Sequence, residues 1–231
     1  SLADSLELSV NTVTSAAATT GVYLTNNKAV ALSSVSSTTG NVYIRTTLGN
    51  IAVGAITATP GVVTLVAAAS ITDGDALVDI TAASASLTAT AGSIGSLADS
   101  LDLGVNTITK AAAKTGVYLT NNKAVALSSV ASTTGNVDIR TTAGNIAVGA
   151  ITATPGVVTL VAAASITDGD ALVDITAASA SLTATAGSIG SLADSLELSV
   201  NTVTSAAATT GVYLTNNKAV ALSSVASTTG N

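Results

Sequence analysis

Apolar and polar residues alternate along short stretches of the chain, and glycine and asparagine separate these stretches. In the stretch 42–53, Val42 and Ile44 alternate with larger polar residues. A Leu-Gly-Asn corner follows, and Ile51 and Val53 then continue the alternation. Alternation with a period of two predicts half-buried β-strands, while Gly and Asn are typical of turns. No apolar stripe with a helical period persists, so we expect an all-β protein.

The whole chain repeats with a period of 95 residues. The hexapeptide Ser-Leu-Ala-Asp-Ser-Leu begins at Ser1, Ser96 and Ser191. We interpret 1–231 as a single elongated domain made of copies 1–95 and 96–190 and a partial copy 191–231. Copies one and two differ at eight positions, which are Glu7/Asp102, Ser9/Gly104, Val13/Ile108, Ser15/Lys110, Thr19/Lys114, Ser36/Ala131, Tyr43/Asp138 and Leu48/Ala143. The partial copy has the residues of the first except for Ala226, which would fit an array of two alternating repeat types.

Each copy contains five apolar–x–apolar triplets, spaced by about 19 residues on average. The triplets of the first copy begin at Leu6, Val22, Val42, Val63 and Val78. A unit of 19–20 residues suits one coil of a β-solenoid with roughly three strands and three corners. The spacing predicts about 12 coils and a rod of about 55–60 Å. A propeller blade needs about 40 residues, a transmembrane barrel needs aromatic girdles, and frequent Gly and Pro interrupt any amyloid-like run.

The triplets predict which side chains face inward. The first inward columns are Val22/Val42/Val63/Val78 and Leu24/Ile44/Leu65/Ile80, and Val30 and Leu32 should lie above Ile51 and Val53. The middle residue of each triplet should face outward, which places Tyr23 beside Tyr43. The same pattern places Asp79 beside Asp102 and Asp174 beside Glu197. Like charges on neighbouring strands are destabilising.

Two hypotheses account for these acidic pairs. In the first, a cation such as calcium binds at Asp79, Asp102, Asp174 and Glu197, with Asp73, Asp75 and Asp99 nearby. In the second, the carboxylates are solvated on the surface and repel each other. No cofactor other than calcium is expected.

Composition excludes several functional classes. The chain has no His or Cys, so nucleophilic systems based on these residues, disulfides and thiolate metal sites are absent. Charged residues are only 9% of the chain and the net charge is −6, which argues against nucleic acid as a partner. There is no apolar run long enough for a membrane-spanning helix, and we expect no membrane insertion. Because no irregular loop interrupts the repeats, we also expect no enzyme activity.

Smaller motifs allow further interpretations. Asn26, Asn27, Asn41 and Asn50 should form structural ladders at corners. The pairs Thr12/Thr14, Thr57/Thr59 and Thr88/Thr90 are similar to the threonine ranks of ice-binding solenoids, although their spacing is uneven. Asp73-Gly74-Asp75 fits an ordinary corner better than a calcium loop, because the nonapeptide glycine–aspartate repeat is missing.

Three phrases of the chain resemble the repeats of filamentous haemagglutinin-type adhesins, which are large bacterial surface proteins that often use two-partner secretion. They are Thr39-Gly40-Asn41-Val42-x-Ile44, Gly49-Asn50-Ile51-x-Val53 and Ala69-Ser70-Ile71-Thr72-Asp73-Gly74. The resemblance covers essentially the whole chain and implies a right-handed parallel β-helix on a Gram-negative-like cell surface. It implies no binding residue.

The sequence therefore favours a structural, non-catalytic extracellular protein that forms an adhesin shaft or a cell-surface fibre. The alternative is a solenoid that binds calcium, glycan or ice on a repetitive outer face. We expect self-association, head-to-tail or laterally through alternating acidic and basic bands, and a host receptor or glycan as a further partner. Since the chain lacks an initial Met and ends within a copy, we expect it to be a piece of a longer secreted protein.

Overall fold

The computed structural model describes residues 4–230, and all strand pairings among them are parallel. The strands are β1 (Leu6–Leu8), β2 (Thr12–Val13), β3 (Ala16–Ala18), β4 (Gly21–Asn26), β5 (Val30–Ser37), β6 (Asn41–Thr46), β7 (Ile51–Ala67), β8 (Ile71–Asp73), β9 (Ile80–Ala89), β10 (Ser93–Ile94), β11 (Leu101–Gly104), β12 (Thr107–Ala113), β13 (Gly116–Asn121), β14 (Val125–Ser132), β15 (Asn136–Thr141), β16 (Ile146–Ala162), β17 (Ile166–Asp168), β18 (Ile175–Ala184), β19 (Ser188–Ile189), β20 (Leu196–Ser199), β21 (Thr202–Ala208), β22 (Gly211–Val212), β23 (Leu214–Asn216), β24 (Ala221–Leu222) and β25 (Val225–Ser227).

The predicted all-β, right-handed parallel β-helix is confirmed, with about 11 turns where about 12 were expected. Within residues 4–230 we find no helix long and apolar enough to cross a bilayer.

Each coil consists of one straight strand and one bent strand. Strand β4 is straight and alternates regularly between inward and outward side chains. Strand β5 bends at Ser33 and Ser34, two consecutive exposed residues that interrupt the alternation. The two arms of the bent strand and the straight strand give the three extended segments predicted for a coil. The register step from one coil to the next is not constant, and it is shorter at Leu6↔Leu24 than at Ile56↔Ile80.

Aliphatic side chains fill the inside of the coils in vertical columns. Val22, Val42 and Val63 are in register as predicted, and all three are buried. Val30 and Leu32 also lie against Ile51 and Val53 as predicted. Burying such side chains away from water is the main favourable contribution to folding, at about 25 cal/mol per Å² of apolar surface.

The prediction that Val78 and Ile80 continue these columns is wrong. Ala85 and Leu87 occupy those places, while Ile80 pairs with Ile56 on the other side of the coil. Val78 lies in the segment 74–79 between two strands and is 37% exposed. The triplet pattern fails here because this loop lengthens the bent arm and also happens to contain two apolar residues.

Successive copies of the repeat are turned by half a coil relative to each other. Four register steps lead from Leu24 to Ala111, through Ile44, Leu65 and Leu87. Leu119, the counterpart of Leu24 in copy two, lies in the next strand, on the opposite side of the coil, where it pairs with Leu101 and Ile139. One copy therefore makes four and a half coils, and two copies make nine. The side that carries a straight strand in copy one carries a bent strand in copy two.

At each junction between copies, where a straight strand lies against a bent one, a β-bulge accommodates the one-residue difference between them. The straight part of β9 lies against the bent strand β12, and the register shifts between Ile108 and Lys110. The extra residue is Thr109, whose hydroxyl donates to the carbonyl of Ala85 at 3.1 Å. Thr204 makes the equivalent bond to Ala180 at the next junction, at 3.0 Å. A bulge lets two residues oppose one without ending the ladder.

Asparagines fix the corners by bonding to backbone, as the structural interpretation predicted, but they do not stack on each other. Asn26 pairs in register with Thr46, and Asn41 pairs with Gly21. Asn41 accepts a hydrogen bond from the Val62 N–H at 2.9 Å, and Asn50 accepts one from Ser70 at 3.0 Å. These side chains satisfy backbone donors where the chain turns away from the ladder.

Candidate functional site

Three carboxyl groups meet at one corner in each copy. In copy one they belong to Asp73, Asp79 and Asp102, which we call the first acidic corner. In copy two they belong to Asp168, Asp174 and Glu197, which we call the second acidic corner. Because of the half-coil turn between copies, the two corners lie on opposite sides of the rod.

The loop between the first two residues of each corner is held by short aspartate turns. At the first acidic corner, Oδ1 of Asp73 accepts the N–H of Asp75 at 2.7 Å, and Oδ1 of Asp75 accepts the N–H of Leu77 at 2.8 Å. Asp168 and Asp170 repeat these bonds in copy two. Aspartate side chains favour this kind of turn because they reach their own backbone two residues ahead.

The third residue of each corner comes from the next coil. Asp79 donates its N–H to the carbonyl of Asp102 at 2.9 Å, and its Oδ2 accepts the N–H of Asp102 at 2.7 Å. Asp174 and Glu197 make the same two bonds at 3.0 and 2.8 Å. The predicted neighbours, Asp79 with Asp102 and Asp174 with Glu197, are thus brought together.

The prediction that Asp79 and Asp174 face outward is wrong. Both residues have 0% exposure, because the last residue of the 74–79 loop and of its counterpart turns into the rod, while Asp75 and Asp170 stay exposed. Their Oδ1 atoms are buried and have no hydrogen-bond partner. Two solvated surface carboxylates therefore do not describe either pair. The sequence pattern named Asp73 only as a neighbour and did not single out Asp168; the recurring Asp-Gly-Asp turn was the signal for both.

Burial changes the ionisation of these groups. Desolvation raises the pKa of Asp79 to about 8, helped by the negative charges of Asp73, Asp102 and Asp75 and opposed by the Asp102 N–H. Desolvation likewise raises the pKa of Asp174 to about 8. The pKa of Glu197 is also raised, first by desolvation and then by a side-chain hydrogen bond with Asp168. At neutral pH without a bound cation, these corners hold protons.

Asp79→Asn is expected to remove a pH-dependent loss of stability. An unfolded aspartate loses its proton near 3.8, whereas folded Asp79 keeps it to about 8. Between these values the folded state binds more protons at Asp79, so the contribution of Asp79 to stability is fully present below about pH 3.8 and is lost as pH rises toward 8. Melting curves in chelator should show wild type losing several degrees relative to Asp79→Asn from about pH 4 to about pH 8. A constant difference between the two proteins would contradict the assignment.

The tyrosine and threonine residues noted in the sequence contact other residues of the strand ladders. Tyr23 pairs with Tyr43 as predicted. In copy two Asp138 replaces the second tyrosine and binds Arg140 through two bonds of 2.8 and 3.0 Å. The three threonine pairs do not stack on one another: Thr12 pairs with Ala31, Thr57 with Ser36 and Thr81, and Thr88 with Val66 and Ala112.

Comparison with family models, with curated proteins and with solved structures finds no match to this chain. The fold itself is that of a β-solenoid repeat protein.

Proposed function

We propose that the chain is the shaft of a filamentous haemagglutinin-type adhesin or a related extracellular fibre, where it acts as a rigid spacer without catalytic activity. The observation that carries this proposal is that one repeat is used again with its interior almost unchanged. Of the eight positions at which copies one and two differ, only Val13/Ile108 belongs to the aliphatic core in copy two. This exchange keeps a β-branched aliphatic residue in the column.

The ladders themselves support a mechanical role. Hydrogen bonds between coils run parallel to the rod axis, and each coil contacts only its neighbours, so resistance to bending is distributed over the whole stack. Among residues 4–230, core aliphatics are exposed mainly at the two ends and in the corner loops. Leu6 is 63% exposed, and Leu222 and Val225 are 61% and 50% exposed. Another coil, from the same chain or a second copy, would cover these residues and the unpaired strand edge.

Length scaling tests the spacer role. Proteins with one and two further copies should lengthen by about 22 Å per copy, since each copy adds four and a half coils of about 4.8 Å. Small-angle scattering should show a constant cross-section and a rising overall radius of gyration. A cross-section that grows with copy number would show that the copies fold back on each other, and the spacer proposal would fail.

The location is tested separately on the native producer. Immunogold labelling with an antibody against this chain should mark extended fibres outside the cell. Label confined to the cell interior would overturn the extracellular role without affecting the length result.

A further inference from the structure

The second acidic corner has the spacing of a calcium site. One carboxylate oxygen from each of Asp168, Asp174 and Glu197 lies within 4.8 Å of the other two. Oxygens that bind one Ca²⁺ at about 2.4 Å can be at most about 4.8 Å apart. The three residues come from two successive coils, so a shared ion would link them.

Apart from a proton that the carboxyl groups share with each other, two atoms of this corner have no hydrogen-bond donor. They are Oδ1 of Asp174, a residue with 0% exposure, and Oε2 of Glu197, and each atom is buried. A buried polar atom without a partner is unfavourable, and more so when it is charged. The groups that act electrostatically on Asp174 are all acidic, namely Asp168, Glu197 and Asp170, and Asp194 adds to them at Glu197. No lysine or arginine is among them.

We propose that the second acidic corner binds one Ca²⁺ through Asp168, Asp174 and Glu197. The ligand set consists of oxygen alone, without the nitrogen or sulfur that favours zinc. Ca²⁺ accepts irregular arrangements of six to eight oxygens, whereas Mg²⁺ requires a near-ideal octahedron at shorter distance. Water completes the coordination on the open side of the loop. The ion neutralises the carboxylates and joins the coil of Asp174 to the coil of Glu197.

The first acidic corner is a natural control for this proposal. It has the same loop and the same backbone bonds, but Asp102 stands where the second corner has Glu197. Aspartate is one methylene shorter, and in the part of the chain that the structure describes only the second corner brings three acidic groups to the required spacing. The exchange of Glu197 for Asp102 therefore predicts that calcium binds at the second acidic corner and not at the first.

Calorimetric titration of the full 231-residue chain with CaCl₂ at pH 8, after chelator treatment, tests the site. Wild type should bind one ion, Glu197→Asp should bind none or bind at least about tenfold more weakly, and Asp102→Glu should bind two. Both variants place in one copy a residue that another copy already has, so they are expected to fold. Thermal melting should show a calcium-dependent rise that Glu197→Asp loses and Asp102→Glu enlarges.

Three results would overturn the proposal. They are no binding by wild type, unchanged binding by Glu197→Asp, and two equal sites in wild type. A response to MgCl₂ as strong as that to CaCl₂ would overturn the choice of ion. None of these results bears on the length scaling of the shaft, so failure of the site and failure of the spacer role are distinguishable.

Discussion

Gly135→Ala is expected to break the stack locally. A Cβ atom at Gly135 would lie 1.8 Å from the carbonyl oxygen of Thr115 and 2.4 Å from its carbonyl carbon. Both are backbone atoms of the preceding coil, held in the ladder, so neither can move aside without opening the coil-to-coil bonds. We expect a loss of about 3 kcal/mol or more in the free energy of unfolding. Urea denaturation should show a lower midpoint, and hydrogen exchange should show lost protection in 113–137.

Gly104→Ala is the matched control. The nearest atoms to a Cβ there belong to the side-chain amide of Asn122, at 3.4 and 3.5 Å, which is an ordinary contact. Serine already occupies this place at Ser9 and Ser199. The change should shift stability by no more than about 0.5 kcal/mol, or raise it slightly by restricting the unfolded chain. Equal destabilisation by the two variants would show that the close approach at Gly135 is unimportant.

Asn121→Ala is expected to have the second largest effect. Asn121 is fully buried, and its Nδ2 donates to the carbonyls of Val105 at 3.0 Å and Lys123 at 2.8 Å. Its Oδ1 accepts the N–H of Val105 at 3.0 Å. Alanine would leave three backbone groups without this partner, two of them on buried Val105 and one on part-buried Lys123. Each such group is unfavourable by about 1–3 kcal/mol, so we expect a loss of about 3 kcal/mol or more in chemical denaturation.

The neighbouring residue provides the comparison. Asn122 is exposed, and it takes part in the ladder through its backbone N–H, which bonds to the Leu103 carbonyl at 2.8 Å. Asn122→Ala keeps that bond and should change stability by less than about 0.5 kcal/mol. If both variants lost stability equally, the corner would depend on asparagine backbone preference and not on the buried side-chain bonds.

The sequence predicted the solenoid because its main signal is local. Alternation around Val42 and Ile44 and the corner at Gly49 depend on residues that are near each other in the chain. Strand existence and the pairing of Tyr23 with Tyr43 followed from that signal.

Register across the long corner could not be predicted in the same way. The segment 74–79 contains Leu77 and Val78, which are 72% and 37% exposed, yet in sequence they look like core residues. Treating Val78-Asp79-Ile80 as a strand triplet gave five coils per copy in place of four and a half. It also turned Asp79 outward, when that side chain is buried against the next coil. Only the pairing of strands between coils shows that the segment 74–79 is a loop and not a strand.

Only part of each acidic corner could be predicted from the sequence. The neighbours Asp79 and Asp102 emerged because they follow each other along the triplets. The contribution of Asp168 could not be predicted in this way. It depends on a turn that directs the Asp168 carboxylate toward Glu197, which lies in the strand of the next coil. Residue type alone does not show whether a carboxylate is buried without a partner or solvated on the surface.

The half-coil turn between copies makes the parity of the copy number significant. Unequal crossing-over between near-identical repeats would add or remove single copies. Gain or loss of one copy moves every later part of the chain to the opposite side of the rod axis. Gain or loss of two copies restores the original azimuth and changes only the reach. A domain carried at the far end would thus face its target with an even change and face away with an odd one.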